Sequence, residues 1–144
     1  FYEHHHFKGK TYPYLIQHKK REPILLGGIY ELWTNPEDEK TWQTVTIVTT
    51  SGNKLLTKIH NNPKMSGARM PLILPKGEEE KWLQEADEKA DKDLVQSIIK
   101  PYPDDELEAY TVGKLRGKEA VGNNAEVLDE VKYPELENEQ GELF

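Results

Sequence analysis

The stretch WQTVTIVTTSGNKLLTKIH, residues 42–60, decides the fold class of this chain. Its first part, Trp42–Thr50, alternates along the chain and is rich in β-branched residues, which makes it the strongest strand signal in the sequence. Ser51 follows as a predicted helix cap, and the apolar side chains of Asn53–His60 fall on one face of a short helix. The stretch therefore predicts a strand that leads directly into a helix.

Comparable patterns lie on both sides of this stretch. Turn and loop residues separate them at Asn35–Asp38 and in residues 61–68. Because strands dominate and helices are inserted between them, we expect an α+β fold with a mainly antiparallel, barrel-like β-sheet. We interpret residues 1–144 as a single domain whose polar residues 116–144 form a tail that wraps the surface. The other predicted strands are Thr11–Gln17, Pro23–Tyr30 (buried), Arg69–Leu74 and Leu107–Leu115, and the other helical segments are Glu78–Asp87, with Trp82 and Leu83 facing inward, and Asp93–Ile99.

The composition excludes several classes of protein. The chain has 144 residues, 35% of them hydrophobic, and a mean hydropathy of −0.82, which fits one globular domain with polar extensions. It has no cysteine, so neither a disulfide nor a thiol nucleophile can form within these residues. No apolar run approaches the roughly 20 residues of a membrane helix, and no signal peptide is visible. We expect a soluble, cytoplasmic monomer.

The charge of the chain does not decide whether it binds nucleic acid. The net charge of −7 argues weakly against such a partner. Basic residues and histidines, however, concentrate in residues 4–21, whereas acidic residues crowd into 78–93, 104–108 and 126–142. A local basic face on an acidic protein can still bind phosphates.

Three consecutive histidines, His4, His5 and His6, invite a metal interpretation. Adjacent residues on a strand point to opposite faces, so the three side chains cannot converge on one ion. We interpret them as solvated residues at the end of a hairpin, and we assign neither a metal nor a cofactor.

Three further residues are candidates for chemistry, although each has an ordinary structural explanation. Glu3 stands among aromatic residues near the start of the chain. His60 ends the predicted helix and precedes an irregular loop, where side chains are presented to ligands. A histidine there is more often a charge partner for the helix end. Arg69 opens an apolar strand and is also compatible with a surface role.

Taken together, four separated blocks of the chain are more specific than any one motif. They are Phe1-Tyr2-Glu3, Leu26–Trp33, Thr44–His60, and Arg69–Pro75 with the following Trp82-Leu83. In order and spacing they resemble the motifs of the SOS response-associated peptidase (SRAP) family. The family motifs are Gly-Phe-Tyr-Glu-Trp, Ala-Gly-Leu-Trp-Glu, Thr-Ile-Ile-Thr-Thr with an Ala-Asn turn and a helix ending in Ile-His, and Arg-Met-Pro-Val-Ile-Leu-Pro with a trailing Trp-Leu.

The chain departs from the family pattern in three places. His4 stands where the family commonly has Trp, and residues 62–68 make a longer step from the histidine to the Arg-Met-Pro block. The N-terminal cysteine of the family and the Asn-Ala-Arg block that follows it are absent. We therefore interpret the chain as the larger, C-terminal part of the SRAP domain, without its nucleophile and inactive by itself.

The resemblance implies an abasic-site processing protein of the SOS response. Such a protein binds single-stranded DNA and forms a covalent thiazolidine crosslink through its N-terminal cysteine, which autoproteolysis exposes. It further implies that Glu3 and His60 are the catalytic acid–base groups. Arg69 would bind a flanking phosphate and Tyr2 would stack on a base or pack beneath the site. Two alternatives remain open: a peptidase acting on other proteins, and a non-catalytic single-stranded DNA-binding module.

Overall fold

The computed structural model describes residues 1–85 and 91–136. It divides into two compact units. The first unit comprises Phe1–Glu22, Gly52–Arg69 and the residues from Pro103 onward, and the second comprises Pro23–Ser51 and Met70–Tyr102. The interpretation of residues 1–144 as one domain stays a prediction.

The described strands and helices are short. The strands are β1 (Tyr2–Phe7), β2 (Lys10–His18), β3 (Gly28–Thr34), β4 (Thr41–Ile47), β5 (Thr49–Ser51), β6 (Arg69–Pro71) and β7 (Leu107–Thr111). The helices are α1 (Lys54–Ile59), α2 (Glu79–Trp82) and α3 (Lys92–Ile98), with single 3₁₀ turns at Asp104–Glu106, Ala125–Leu128 and Pro134–Leu136. None of the helices in the described part of the chain is long and apolar enough to span a membrane.

The first unit is built on a three-stranded antiparallel sheet in the order β1-β2-β7. The β1–β2 hairpin turns through Lys8 and Gly9, whose φ angles of 48° and 76° are both in the left-handed region. A two-residue turn of this kind matches the twist of the flanking strands. It fixes the register in which Glu3 of β1 lies opposite Tyr14 of β2.

The core of the first unit lies around the central strand β2. Tyr14 and Ile16 of this strand are fully buried, as are Leu56 and Ile59 of α1. The two α1 residues are three positions apart and therefore lie on the same face of the helix. Burying this face holds α1 in the unit, and with it the helix cap at His60.

The second unit contains the antiparallel β3–β4 hairpin and a small apolar cluster of Leu72, Leu74 and Ile98. Trp82 packs against the cluster, and its indole N–H donates to the carbonyl of Gly28 at 3.0 Å. A Cβ atom at Gly27 would lie only 2.8 Å from Leu72 Cδ2, so any larger residue at this point would force the buried Leu72 side chain to shift.

Several expectations about single elements are confirmed. The predicted strand Thr11–Gln17 is β2, the predicted helix Asn53–His60 is α1, and the segment Asp93–Ile99 is α3 with ends shifted by one residue. The predicted strand Leu107–Leu115 is present as β7, although it ends at Thr111.

Other expectations are wrong in position or burial. The strand predicted at Pro23–Tyr30 starts only at Gly28. It is exposed rather than buried because no second layer of the described residues covers its hairpin. The single strand predicted at Trp42–Thr50 is interrupted at Val48. Ser51 is the last residue of β5, and the helix cap is Asn53, whose side chain accepts from the Leu56 N–H at 2.9 Å.

The remaining corrections concern the later elements and the sheet as a whole. The strand predicted at Arg69–Leu74 is limited to β6, and Leu83 is 79% exposed rather than inward. The helix predicted at Glu78–Asp87 ends at Trp82, and residues 86–87 of it lie outside the described residues. The mixed fold and antiparallel pairing are confirmed, but the described strands form three separate sheets, so the barrel-like sheet is not.

Candidate functional site

The structure brings Glu3 and His60 together within the first unit. Glu3 lies on β1, and His60 is the residue that ends α1. The distance between Glu3 Oε2 and His60 Nδ1 is 3.5 Å, with the His60 side chain 13% and the Glu3 side chain 23% exposed. Two residues that are far apart in the sequence therefore form one partly buried acid–base pair.

The end of α1 is attached directly to β1. The side chain of Asn61 accepts from the His6 backbone N–H at 2.6 Å and donates to the His6 carbonyl at 2.9 Å. Because β1 is the edge strand of its sheet, these backbone groups are available to a side-chain amide, which takes the place of a neighbouring strand. The two bonds hold the residue after His60 against β1 and thus keep the imidazole beside Glu3.

The Nδ1 atom of His60 also faces the backbone of Arg69. It lies 3.0 Å from the Arg69 carbonyl oxygen and 3.3 Å from the Arg69 nitrogen. A protonated Nδ1 can donate to the carbonyl or to Glu3, whereas an unprotonated Nδ1 accepts from the Arg69 N–H. The contacts of this nitrogen therefore depend on whether Nδ1 carries a hydrogen.

The carboxylate of Glu3 is held at both oxygens. While Oε2 faces His60, Oε1 accepts a hydrogen bond from the backbone N–H of His4 at 2.8 Å. A carboxylate fixed in this way can orient an imidazole and stabilise its protonated form, as the acid does in a catalytic triad.

Glu3 and His60 line an open cleft of about 960 Å³ in the first unit. Tyr2 lines the same cleft, so three of the four predicted site residues meet there. The Arg69 side chain is exposed and does not belong to the described lining of the cleft. Arg69 contacts the site through its backbone, which lies beside the His60 ring.

The histidine run has a different structure from the one expected at a hairpin end. His4, His5 and His6 lie within β1, and His5 is buried, with its ring centroid 6.0 Å from that of Tyr14. The interpretation of all three as solvated is therefore wrong for His5. The alternation of strand side chains accounts for this, since one face of β1 is covered.

Sequence reasoning missed the far part of the cleft, which residues 114–116 and 133–135 help to build. Glu135 accepts hydrogen bonds from the Tyr12 hydroxyl at 3.0 Å and from Lys10 Nζ at 3.3 Å. A backbone hydrogen bond, followed by these two side chains, holds the pKa of Glu135 below its ordinary value. Lys10 belongs to the basic stretch 4–21 that the sequence showed. No sequence pattern, however, predicted that residues of the tail 116–144 would line this cleft.

The chain matches the family model of SOS response associated peptidase (SRAP) over residues 1–119. It is 37% identical over 116 residues to abasic site processing protein YoqW of Bacillus subtilis (strain 168), covering 80% of this chain and 47% of that protein. With abasic site processing protein YoaM of the same organism it shares 34% identity over 130 residues, covering 90% of this chain and 52% of that protein.

Two solved structures are similar to this chain in fold. A crystal structure of a protein from Bacteroides thetaiotaomicron is similar with a TM-score of 0.74 and 30% identity, covering 92% of this chain and 53% of that one. A second, from Bordetella bronchiseptica, has a TM-score of 0.65 and 25% identity, covering 78% of this chain and 50% of that one.

The chain belongs to the SRAP family. It spans about half the length of the relatives it matches.

Proposed function

We propose that the protein processes abasic sites in single-stranded DNA and becomes covalently attached to them through a thiazolidine ring. The nucleophile would be the N-terminal cysteine of the family, which these 144 residues do not contain. Membership of the SRAP family and the names of the relatives support this function. The observation that carries it is the 3.5 Å contact between Glu3 and His60, residues of two separate family blocks, beside a cleft.

The proposed reaction joins the cysteine to the aldehyde of a ring-opened abasic sugar. The amine nitrogen attacks the aldehyde carbon, and the resulting carbinolamine loses water to form an imine. The thiol then adds across the C=N bond, with sulfur bound to carbon and the proton passed to nitrogen. One water is released overall, and no oxidant or reductant is needed.

His60 is proposed as the proton donor for ring opening and for the departure of water. Histidine suits this task because its unperturbed pKa lies close to neutral pH. Since Nδ1 faces Glu3 and the Arg69 backbone, the proton would leave from Nε2. The Glu3 carboxylate would orient the ring, stabilise its protonated form and accept a proton from the cysteine amine.

Tyr2 and Arg69 are proposed to hold the strand. Tyr2 lies in the cleft beside Glu3, where an aromatic ring can support a base or the sugar. The exposed guanidinium of Arg69 would bind a flanking phosphate next to His60. In the same proposal, the acid–base groups serve the autoproteolysis that exposes the cysteine.

The test is a crosslinking assay with the protein expressed from its complete reading frame. We expect a heat-stable adduct with a single-stranded oligonucleotide that contains an abasic site, and none with the undamaged strand. A non-catalytic binding module would bind both strands and release both on heating. A peptidase acting on other proteins would instead cleave unrelated peptides and form no adduct.

A further inference from the structure

The cleft continues beyond Glu3 and His60 over side chains that the proposed chemistry does not use. Its described lining includes three permanently cationic side chains, those of Lys10, Lys114 and Arg116. Lys10 comes from the β1–β2 hairpin, whereas Lys114 and Arg116 follow β7. We call these three residues the basic rim.

The described lining of the cleft holds more cationic than anionic side chains, in contrast to the acidic chain as a whole. The basic rim contributes three positive charges to the described lining, against the two carboxylates of Glu3 and Glu135, while the Glu119 carboxylate pairs with Lys114 from outside the lining. The whole chain, by contrast, has a net charge of −7. A cleft of this kind draws a polyanion to one place on a protein that otherwise repels it.

The walls of the cleft are held by specific contacts. The rings of Tyr12 and Tyr133 pack edge to face with their centroids 5.0 Å apart. The Tyr133 hydroxyl donates to the carbonyl of Val112 at 2.8 Å, and the Tyr12 hydroxyl donates to Glu135. These bonds attach the segment around Pro134–Leu136 to the sheet, so the cleft is a built feature of the first unit.

The cations of the basic rim are available to a ligand. Lys114 pairs with Glu119, whose side chain is 73% exposed, and Lys10, with a side chain that is 70% exposed, pairs with Glu135. Exposed ion pairs contribute little stability, so a phosphate can replace the carboxylate at small cost. Within residues 1–85 and 91–136, Arg116 has no ion pair.

Lys10 of the basic rim lies some distance along β2 from the acid–base pair. Tyr14 of β2 lies opposite Glu3 of β1, and Lys10 precedes Tyr14 by four residues on the same strand. At a rise of about 3.4 Å per residue it lies about 14 Å along the strand from that pair. A phosphate bound at Lys10 would therefore belong to a nucleotide beyond the one held at Glu3 and His60.

We propose that Lys10, Lys114 and Arg116 bind the backbone phosphates of single-stranded DNA on one side of the abasic nucleotide. This inference rests on the proposed function and names the track along which the strand leaves Glu3 and His60. The basic rim contributes affinity and orientation, and takes no part in the covalent steps.

The test measures reversible binding of an undamaged, fluorescein-labelled single strand by anisotropy at increasing KCl concentration, with the protein expressed from its complete reading frame. Each lost phosphate contact lowers the slope of log K against log salt by about 0.7 for single strands. We expect this decrease for Arg116→Gln and for Lys114→Gln, and about twice as much for the double variant. The matched control is Lys54→Gln, which removes an exposed lysine of the same unit that does not line the cleft.

A variant with the opposite effect makes the test independent of folding defects. Glu119→Gln removes the carboxylate that competes for Lys114 and should tighten binding at low salt. The inference is overturned if the rim variants have the affinity and salt slope of Lys54→Gln, or if Glu119→Gln does not tighten binding.

Crosslinking separates this inference from the proposed function. With abasic strand at saturation, Arg116→Gln and Lys114→Gln should react at the wild-type rate, because their defect lies in binding. Wild-type crosslinking with rim variants that bind normally would refute the phosphate track alone. A wild-type protein that neither binds the strand nor crosslinks would refute both.

Discussion

Replacing His60 with alanine should slow crosslinking without weakening DNA binding. The imidazole is the group 3.5 Å from the Glu3 carboxylate, and it does not belong to the basic rim. Loss of one general acid slows a reaction by about 10²- to 10⁴-fold. At about 1.36 kcal/mol per tenfold, this equals about 2.7 to 5.4 kcal/mol of activation free energy.

The fold should survive this substitution. His60→Ala removes the ring contact with the Arg69 backbone, and a typical intramolecular hydrogen bond contributes about 0.5 to 1.5 kcal/mol. The chain offers a matched control in His18, whose Nε2 lies 3.3 Å from Glu106 and which does not line the cleft. His18→Ala should destabilise the protein to a similar degree and leave the crosslinking rate unchanged.

The assay follows formation of the heat-stable adduct in single-turnover reactions with saturating abasic single strand. Binding of the undamaged strand and thermal unfolding are measured on the same preparations. A wild-type rate for His60→Ala at saturation would refute the reasoning and leave His60 as a structural residue at the end of α1. If His18→Ala lost as much crosslinking rate as His60→Ala, the loss would be attributed to the reduced stability of the fold and not to a missing proton donor.

Three further predictions follow from other contacts. Arg69→Ala should weaken binding of the single strand and lower its salt slope by about 0.7, with an unchanged rate at saturation, because the backbone that contacts His60 is retained. The folded pKa of Glu135 lies below the ordinary value of 4.5, so its stabilisation is present above about pH 4.5 and is lost as pH falls through the folded pKa. Glu135→Gln should therefore lower the Tm at neutral pH, and the difference from wild type should vanish in acid. Asn53→Ala removes the α1 cap and should cost about 0.5 to 2 kcal/mol of unfolding free energy, measured by urea denaturation.

Local sequence patterns predicted the helix and strand that hold the site residues more accurately than they predicted how the strands assemble into sheets. The helical periodicity of residues 53–60 was sufficient because Leu56 and Ile59 are buried on the same face of α1. The alternation in residues 42–47 predicted a strand correctly, but periodicity does not show whether a second layer covers its apolar face. Tyr30 and Val45, opposite each other in the β3–β4 hairpin, are 83% and 79% exposed.

The candidate site was predictable where the residues belong to family blocks, and not where they depend on long-range packing. The contact between Glu3 and His60 joins two such blocks. Glu135 lies in a region without a regular pattern and reaches the cleft through its contact with Tyr12, whereas Lys114 falls in a predicted strand that ends earlier, at Thr111. Single hydrogen bonds between distant residues leave no periodic signal in a sequence.

A double-mutant cycle of crosslinking rates shows whether Glu3 and His60 act as one acid–base unit. Single-turnover rates at saturating abasic strand are measured for wild type, Glu3→Gln, His60→Gln and the double variant. Residues that act as a unit are strongly non-additive, so the double variant should be about as slow as the slower single variant. A double variant slowed by the product of the two single effects would show that the residues act independently, and would contradict the account.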